Sequence, residues 1–159
     1  MDVNKKLIKY IIAGIIFLLP QVSYSQIKTY RFEQLDSLQR IEKRNIFVFI
    51  HTDWCKYCQV MKNTTFKNES IIQKLNNHFY FIALNAEEKR DIFFGGRNFK
   101  YEPSGINTGL HKLAEQLAKI DKKIAYPTIC FLNSYHEILF HYNQFIGSED
   151  LQSIISKLK

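Results

Sequence analysis

Cysteine is scarce in this chain, with three among 159 residues. Small exported domains stapled by disulfides usually carry four or more, at wider spacings, so the scaffold is not a cross-linked one. Three prolines and six glycines are too few for collagen-like or low-complexity architectures, and no internal repeat is visible. The longest apolar run, from Tyr10 to Leu19, is about ten residues, too short to cross a hydrocarbon core of roughly 30 Å as a helix. Charge is not gathered on one face. Lys and Arg outnumber Asp and Glu by 22 to 15, a net charge of +7. The basic residues Lys28, Arg31, Arg40, Lys43, Arg44, Lys62, Lys67, Lys119, Lys122 and Lys123 are scattered and not interleaved with aromatics. The pattern describes a solvated basic surface, and no nucleic acid is expected as a partner.

Apolar material is plentiful. Hydrophobic residues make up 46% of the chain, and thirteen Phe and nine Tyr supply a core for one compact domain. The first 25 residues read as a secretory signal peptide. Lys5, Lys6 and Lys9 precede the apolar run, and Ser23 and Ser25 flank Tyr24 just before a cut at Gln26. The alternative is an uncleaved anchor. Either way residues 26–159 are expected in an extracytoplasmic, periplasmic or secreted, setting.

Element types follow from periodicity. Phe32, Leu35, Leu38 and Ile41 predict a helix ending near Lys43. Ile46 to Ile50 is a continuous run of strand formers, expected as a central strand buried on both faces. Thr52 or Asp53 should cap a helix from Cys55 to Thr65, with Val60 and Met61 inward, and Ser70 should cap a second from Ile71 to Asn77. Phe79 to Leu84 predicts a second buried strand. The segment 86–108 is polar and broken by glycines, and Thr108 should open a helix through Leu110, Leu113, Leu117 and Ile120. Thr128–Leu132 and Glu137–Tyr142 predict a hairpin, followed by a helix from Glu149 to Leu158. A βαβ half followed by a ββα half gives an α/β fold, a mixed central sheet flanked by helices.

Chemistry concentrates at Trp54-Cys55-Lys56-Tyr57-Cys58, where a buried strand gives way to a helix. A thiol at a helix N-terminus meets unpaired N–H groups and the positive end of the macrodipole, so Cys55 should ionise more readily than a free thiol. Lys56 adds a cation. Cys58, one turn on, is placed to attack a mixed disulfide formed at Cys55. Trp54 would shield the sulfur and offer an apolar contact. A zinc site would need a second ligand pair. His51, His78, His111, His136, His141 and Cys130 do not supply one, because His136 and His141 would face opposite sides of a strand. No metal is expected.

The buried strand, the W-C-x-x-C at a helix start, and Tyr126-Pro127-Thr128 entering a strand–turn–strand–helix tail together resemble the thioredoxin superfamily. The likeness covers roughly residues 30–159. It implies that Pro127 is a cis proline lying against the active-site disulfide, that the Tyr126–Thr128 edge receives an extended substrate, and that no cofactor is needed. Two features depart from thioredoxin itself. Lys56-Tyr57 replace Gly-Pro between the cysteines, and Phe49 stands where a buried Asp would serve the resolving thiol, leaving that task to another base or to water. The resemblance is closer to exported bacterial thioredoxin-like proteins that receive electrons from a membrane thiol–disulfide carrier. The expected function is an exported thiol–disulfide oxidoreductase that reduces disulfides of extracytoplasmic proteins. An oxidase or isomerase, or a copper(I) or thiol carrier using the paired thiolates, are the alternatives.

Three further features need places. The stretch between Asn85 and Gly109 runs to about 25 residues, longer than the usual limit for unstructured loops, and is read as an insertion carrying Ile92, Phe93, Phe94 and Phe99. One reading is a small hairpin turning at Gly95-Gly96 that forms a lip for partners; the other is that these aromatics pack onto the domain. Cys130 is expected in the core. Glu87 and Glu88 read as a solvated strand end.

Overall fold

The computed structural model describes residues 26–159; the expected signal peptide lies outside them. In chain order, a 3-10 turn Phe32–Gln34 runs into α1 (Leu35–Ile41), followed by β1 (Asn45–His51), α2 (Lys56–Asn63), α3 (Glu69–His78) and β2 (Phe79–Asn85). Four short strands follow: β3 (Ile92–Phe94), β4 (Arg97–Phe99), β5 (Tyr101–Gly105) and β6 (Thr108–His111). Then come α4 (Lys112–Ala118), the two-residue strands β7 (Lys119–Ile120) and β8 (Lys123–Ile124), β9 (Thr128–Leu132), β10 (Ile138–Tyr142) and α5 (Ser148–Lys157).

The central sheet has the order β10-β9-β1-β2. β1 runs parallel to β2 and antiparallel to β9, and β9 pairs antiparallel with β10, so the sheet is mixed. Both buried strands behave as their composition demands. Ile46, Val48 and Ile50 of β1 face a core built with Leu35, Tyr80, Ile82, Leu84, Leu113 and Leu117. Phe47 and Phe49 face the other core, with Met61, Leu75, Phe131, Leu151 and Ile155. That second core is aromatic. Phe131 packs edge-on against Phe47 at 4.6 Å and against Phe79 at 5.5 Å between ring centroids, and such pairs contribute about 0.5–1.5 kcal/mol each beyond their area burial. The outer edge of β2 is covered by the N-terminal segment, where the Tyr30 N–H donates to the Phe81 carbonyl at 2.8 Å.

Several element ends differ from the sequence expectation, each for a local reason. Ile41 is 84% exposed: α1 ends there, and the carbonyls of Leu38 and Glu42 on either side of it, not the Ile41 side chain, meet the Tyr80 hydroxyl of β2. Val60 is turned outward while Met61 is fully buried. Neither Thr52 nor Asp53 caps α2; Cys55 does so itself. Asn68, not Ser70, caps α3, its side-chain oxygen accepting from the Ile71 N–H at 3.2 Å. The helix expected from Thr108 begins only at Lys112: Thr108–His111 pairs with β5, and His111 becomes the cap. Ile120 lies in β7, outside the helix. The segment between β2 and α4 forms two hairpins, the first turning at Gly95-Gly96, both with positive φ. Its Ile92, Phe94 and Phe99 are buried against the first core, and Phe93 is exposed.

Candidate active site

The parallel pairing of β1 and β2 brings two strand ends to one edge of the molecule, with His51 opposite Asn85. Beyond β1 the chain turns through Thr52–Trp54, and the Cys55 N–H donates to the Thr52 carbonyl at 3.4 Å. Cys55 is the N-cap of α2. It keeps an extended backbone while its sulfur accepts the Cys58 N–H at 3.1 Å. A residue there meets the unpaired amides of the first turn, which favour negative charge. Cys55 and Cys58 form a disulfide. Cys58 is fully buried, and Cys55 is buried with a small exposed fraction of 5%. Of the two cysteines, Cys55 alone keeps any exposure.

The residues around the pair divide by role. Lys56 and Tyr57 point outward between the cysteines. Trp54 is two-thirds exposed, and its indole N–H donates to Glu87 Oε1 at 3.1 Å. The ring also stands edge-on to Tyr126, 6.1 Å between centroids. The Tyr126–Pro127 peptide is cis. Pro127 is buried, and Thr128 Oγ1 donates to the Ala125 carbonyl at 2.7 Å, closing the loop. The Thr128 side chain is wholly buried. That side chain braces the loop from within. Burial, with lesser contributions from Glu87 and Glu115, pushes the Tyr126 hydroxyl up to about 12, so it stays a neutral donor.

A cleft of about 390 Å³ opens beside the disulfide, lined by Tyr57, Tyr126, Pro127, Asn143, Gln144 and Phe145. Tyr57 and Phe145 form one wall, their rings 6.4 Å apart. The structure thus brings Trp54, Tyr57, Tyr126 and Pro127 together around Cys55 and Cys58. Sequence reasoning missed Phe145, which the chain supplies from the loop after β10, and the contact that the partly exposed Glu87, just past β2, makes with Trp54. Glu87 does have a signal: in a βαβ unit the carboxyl ends of parallel strands converge, so residues just past β2 belong beside residues just past β1. Asn85 links the two turns, donating to Asp53 Oδ2 at 3.2 Å and accepting the Glu87 N–H at 3.0 Å.

Cys130 is fully buried in the core on the opposite face of the sheet from Cys58. Burial pushes its thiol up to about 12, which leaves it protonated and unreactive. Among the described residues no cluster of three or more His, Cys, Asp or Glu is arranged to hold a metal ion.

A mixed sheet with helices on both faces, a C-x-x-C disulfide at a helix start and a cis proline lining the cleft beside Tyr57 define a thioredoxin-fold thiol–disulfide oxidoreductase. Residues 33–134 match the family described as thioredoxin-like, and the chain belongs to that family. Solved structures agree in fold. A DsbH oxidoreductase is similar at 14% identity, covering 89% of this chain and 92% of its own, with a TM-score of 0.59. A thioredoxin from Thermus thermophilus shares 16% identity over 83% of this chain and 86% of its own, with a TM-score of 0.57. The C-terminal domain of Neisseria meningitidis DsbD in its reduced form shares 11% over 80% and 92%, with a TM-score of 0.53. No curated protein sequence matches the chain.

Proposed function

We propose that residues 26–159 act outside the cytoplasm, after export by the segment 1–25, as a reductase of disulfides in other proteins. The observation that carries the reading is the placement of the cysteines. Cys55 caps α2, keeps a small exposed fraction and has an N–H directed at its sulfur, whereas Cys58, one turn on, is fully buried. In the reduced protein the Cys55 thiolate attacks a substrate disulfide, displacing one substrate sulfur and forming a mixed disulfide. Cys58 then attacks Cys55, releases the second substrate sulfur and closes the pair. Trp54, Lys56, Tyr57, Tyr126 and Pro127 provide the rim on which the substrate chain lies, the Tyr126 backbone receiving it as an added strand. The basic start and short apolar run of the N-terminal segment support export. The likeness to exported thioredoxin-like proteins supports the reducing direction and a membrane thiol–disulfide carrier as electron donor.

Equilibrating the Cys55–Cys58 pair against thiol buffers, with trapping of free thiols, tests the direction. A reduction potential near or below about −230 mV is expected. A value between about −120 and −180 mV would make the protein an oxidant or isomerase.

A further inference from the structure

Resolution requires Cys58 to lose its proton, yet Cys58 is fully buried among Phe49, Met61 and Phe66. An apolar setting disfavours a thiolate. The strands beneath α2 offer no carboxylate to help: Phe49 occupies β1, and its partner on β2 is Ala83. One polar pair does lie on this face. Alternation along β1 places His51 on the same side as Phe49, and the two rings stack at 5.4 Å. Lys62 stands one helical turn beyond Cys58 on α2, a spacing that puts two side chains side by side, about 5–6 Å apart at Cβ. Its Nζ lies 3.2 Å from His51 Nδ1. An ammonium has only donors, so in this contact His51 Nδ1 accepts and the imidazole is neutral. Lys62 also lines an open cavity of about 210 Å³ with Phe49 and Phe66, which belong to the same apolar cluster as Cys58.

We propose that His51 is a positioning residue that holds the Lys62 ammonium against the inner face of α2, and that this cation stabilises the Cys58 thiolate during resolution. The proposal rests on the dithiol exchange described above. In the step it assists, the Cys58 thiol gives its proton to water. The thiolate attacks Cys55 Sγ, the bond between Cys55 and the substrate sulfur breaks, and that sulfur leaves with the bonding pair. No outside oxidant is consumed. The groups facing His51 are consistent with a neutral ring. Burial is the largest influence and Lys62 the next, both holding it below its ordinary range; the Thr52 carbonyl and Asp53 pull weakly the other way. Asp53 is itself engaged by the Asn85 amide. From β2 the strand partner is the uncharged Asn85.

The reduced protein reacting with dithionitrobenzoate separates the two steps. A first coloured thiolate is released when Cys55 attacks, and a second when Cys58 resolves. Lys62→Met is expected to slow the second phase about tenfold near neutral pH and to move the midpoint of its pH profile up by about one unit. Lys62→Arg, which keeps the charge, should stay close to the wild-type profile, and His51→Ala should shift the midpoint the same way by less. Thermal melts show whether each variant is folded. A second-phase profile unmoved in folded Lys62→Met, or one that moves equally with the first phase, overturns the proposal. Failure of the wild-type protein to give any second phase would overturn the dithiol reading beneath it instead.

Discussion

At the scale of single residues, the two cysteines are unequal, and their variants should differ in kind. Cys55→Ser is expected to abolish disulfide reduction. Cys58→Ser should instead accumulate a mixed disulfide on Cys55, visible as a mass increase that a thiol reductant reverses. Cys130 should take no part: in native reduced protein it should resist alkylation under conditions that modify Cys55 fully, because only the thiolate reacts and burial keeps this thiol protonated. Alkylation of Cys130 at the rate of Cys55 would contradict that placement. Glu87 holds the Trp54 indole by its N–H. Removing the carboxylate in Glu87→Ala releases the indole N–H, a hydrogen bond worth about 0.5–1.5 kcal/mol. The expected result is a several-fold rise in KM for a protein substrate with kcat little changed.

At the scale of elements, the hairpin pair between β2 and α4 is tied to the domain by main-chain bonds. The His111 N–H donates to the Ala86 carbonyl at 2.8 Å, and the Lys112 N–H to the Lys100 carbonyl at 2.9 Å. Gly109 sits where β5 and β6 pass closely, and a methyl group there would run into the Tyr101 ring and the Glu102 carbonyl. Gly109→Ala should therefore destabilise the protein by about 1–3 kcal/mol, the usual cost of overpacking, read as a lower midpoint in urea. The same substitution at Gly96, where nothing lies within 4 Å, meets no clash; its positive φ of 75° alone costs stability. The first hairpin is anchored by Phe94 and Phe99, and the exposed Phe93 is what remains for a partner to touch. Phe93→Ser should leave the melting temperature nearly unchanged, whereas Phe94→Ala should lower it, since large-to-small changes at buried aromatics cost about 3–5 kcal/mol.

Across the whole molecule, two buried histidines make the fold sensitive to acid. His111 is fully buried, its Nδ1 accepting the Leu113 N–H at 3.2 Å. Burial holds both His51 and His111 below the ordinary value of 6.5. As the pH falls below 6.5, the unfolded chain binds protons at these positions before the folded one does. The stability they contribute is therefore complete above that pH and is lost progressively as the folded-state values are approached. A melting temperature lower at pH 5 than at pH 7.5, with a smaller drop in His111→Asn, is the expected outcome; equal drops in both proteins would count against it.

Much of the architecture was legible in the sequence because it depends on short-range pattern. Ile46–Ile50, Phe79–Leu84 and Thr128–Leu132 are runs that can only be buried strands, and their order with the intervening helical periodicities leaves few topologies. The C-x-x-C after the first strand fixed where the chemistry lies. What the sequence could not settle are the points where long-range contacts compete with local preference. Leu110 keeps helical spacing with Leu113 and Leu117, yet it is a strand residue, because pairing with β5 satisfies its backbone. Thr52 and Asp53 are good caps by composition, but the helix starts only at Lys56 and Cys55 takes the position: the Thr52 carbonyl closes the preceding turn on the Cys55 N–H, and Asp53 is engaged by the Asn85 side chain. The remainder of the site was decided only by tertiary structure. Glu87 meets Trp54 across 33 positions, and Phe145 meets Tyr57 from the loop before α5. The first pairing is foreshadowed only by the parallel topology of β1 and β2, and the second by nothing local, since side chains distant in sequence become neighbours only when the sheet order brings their element ends together.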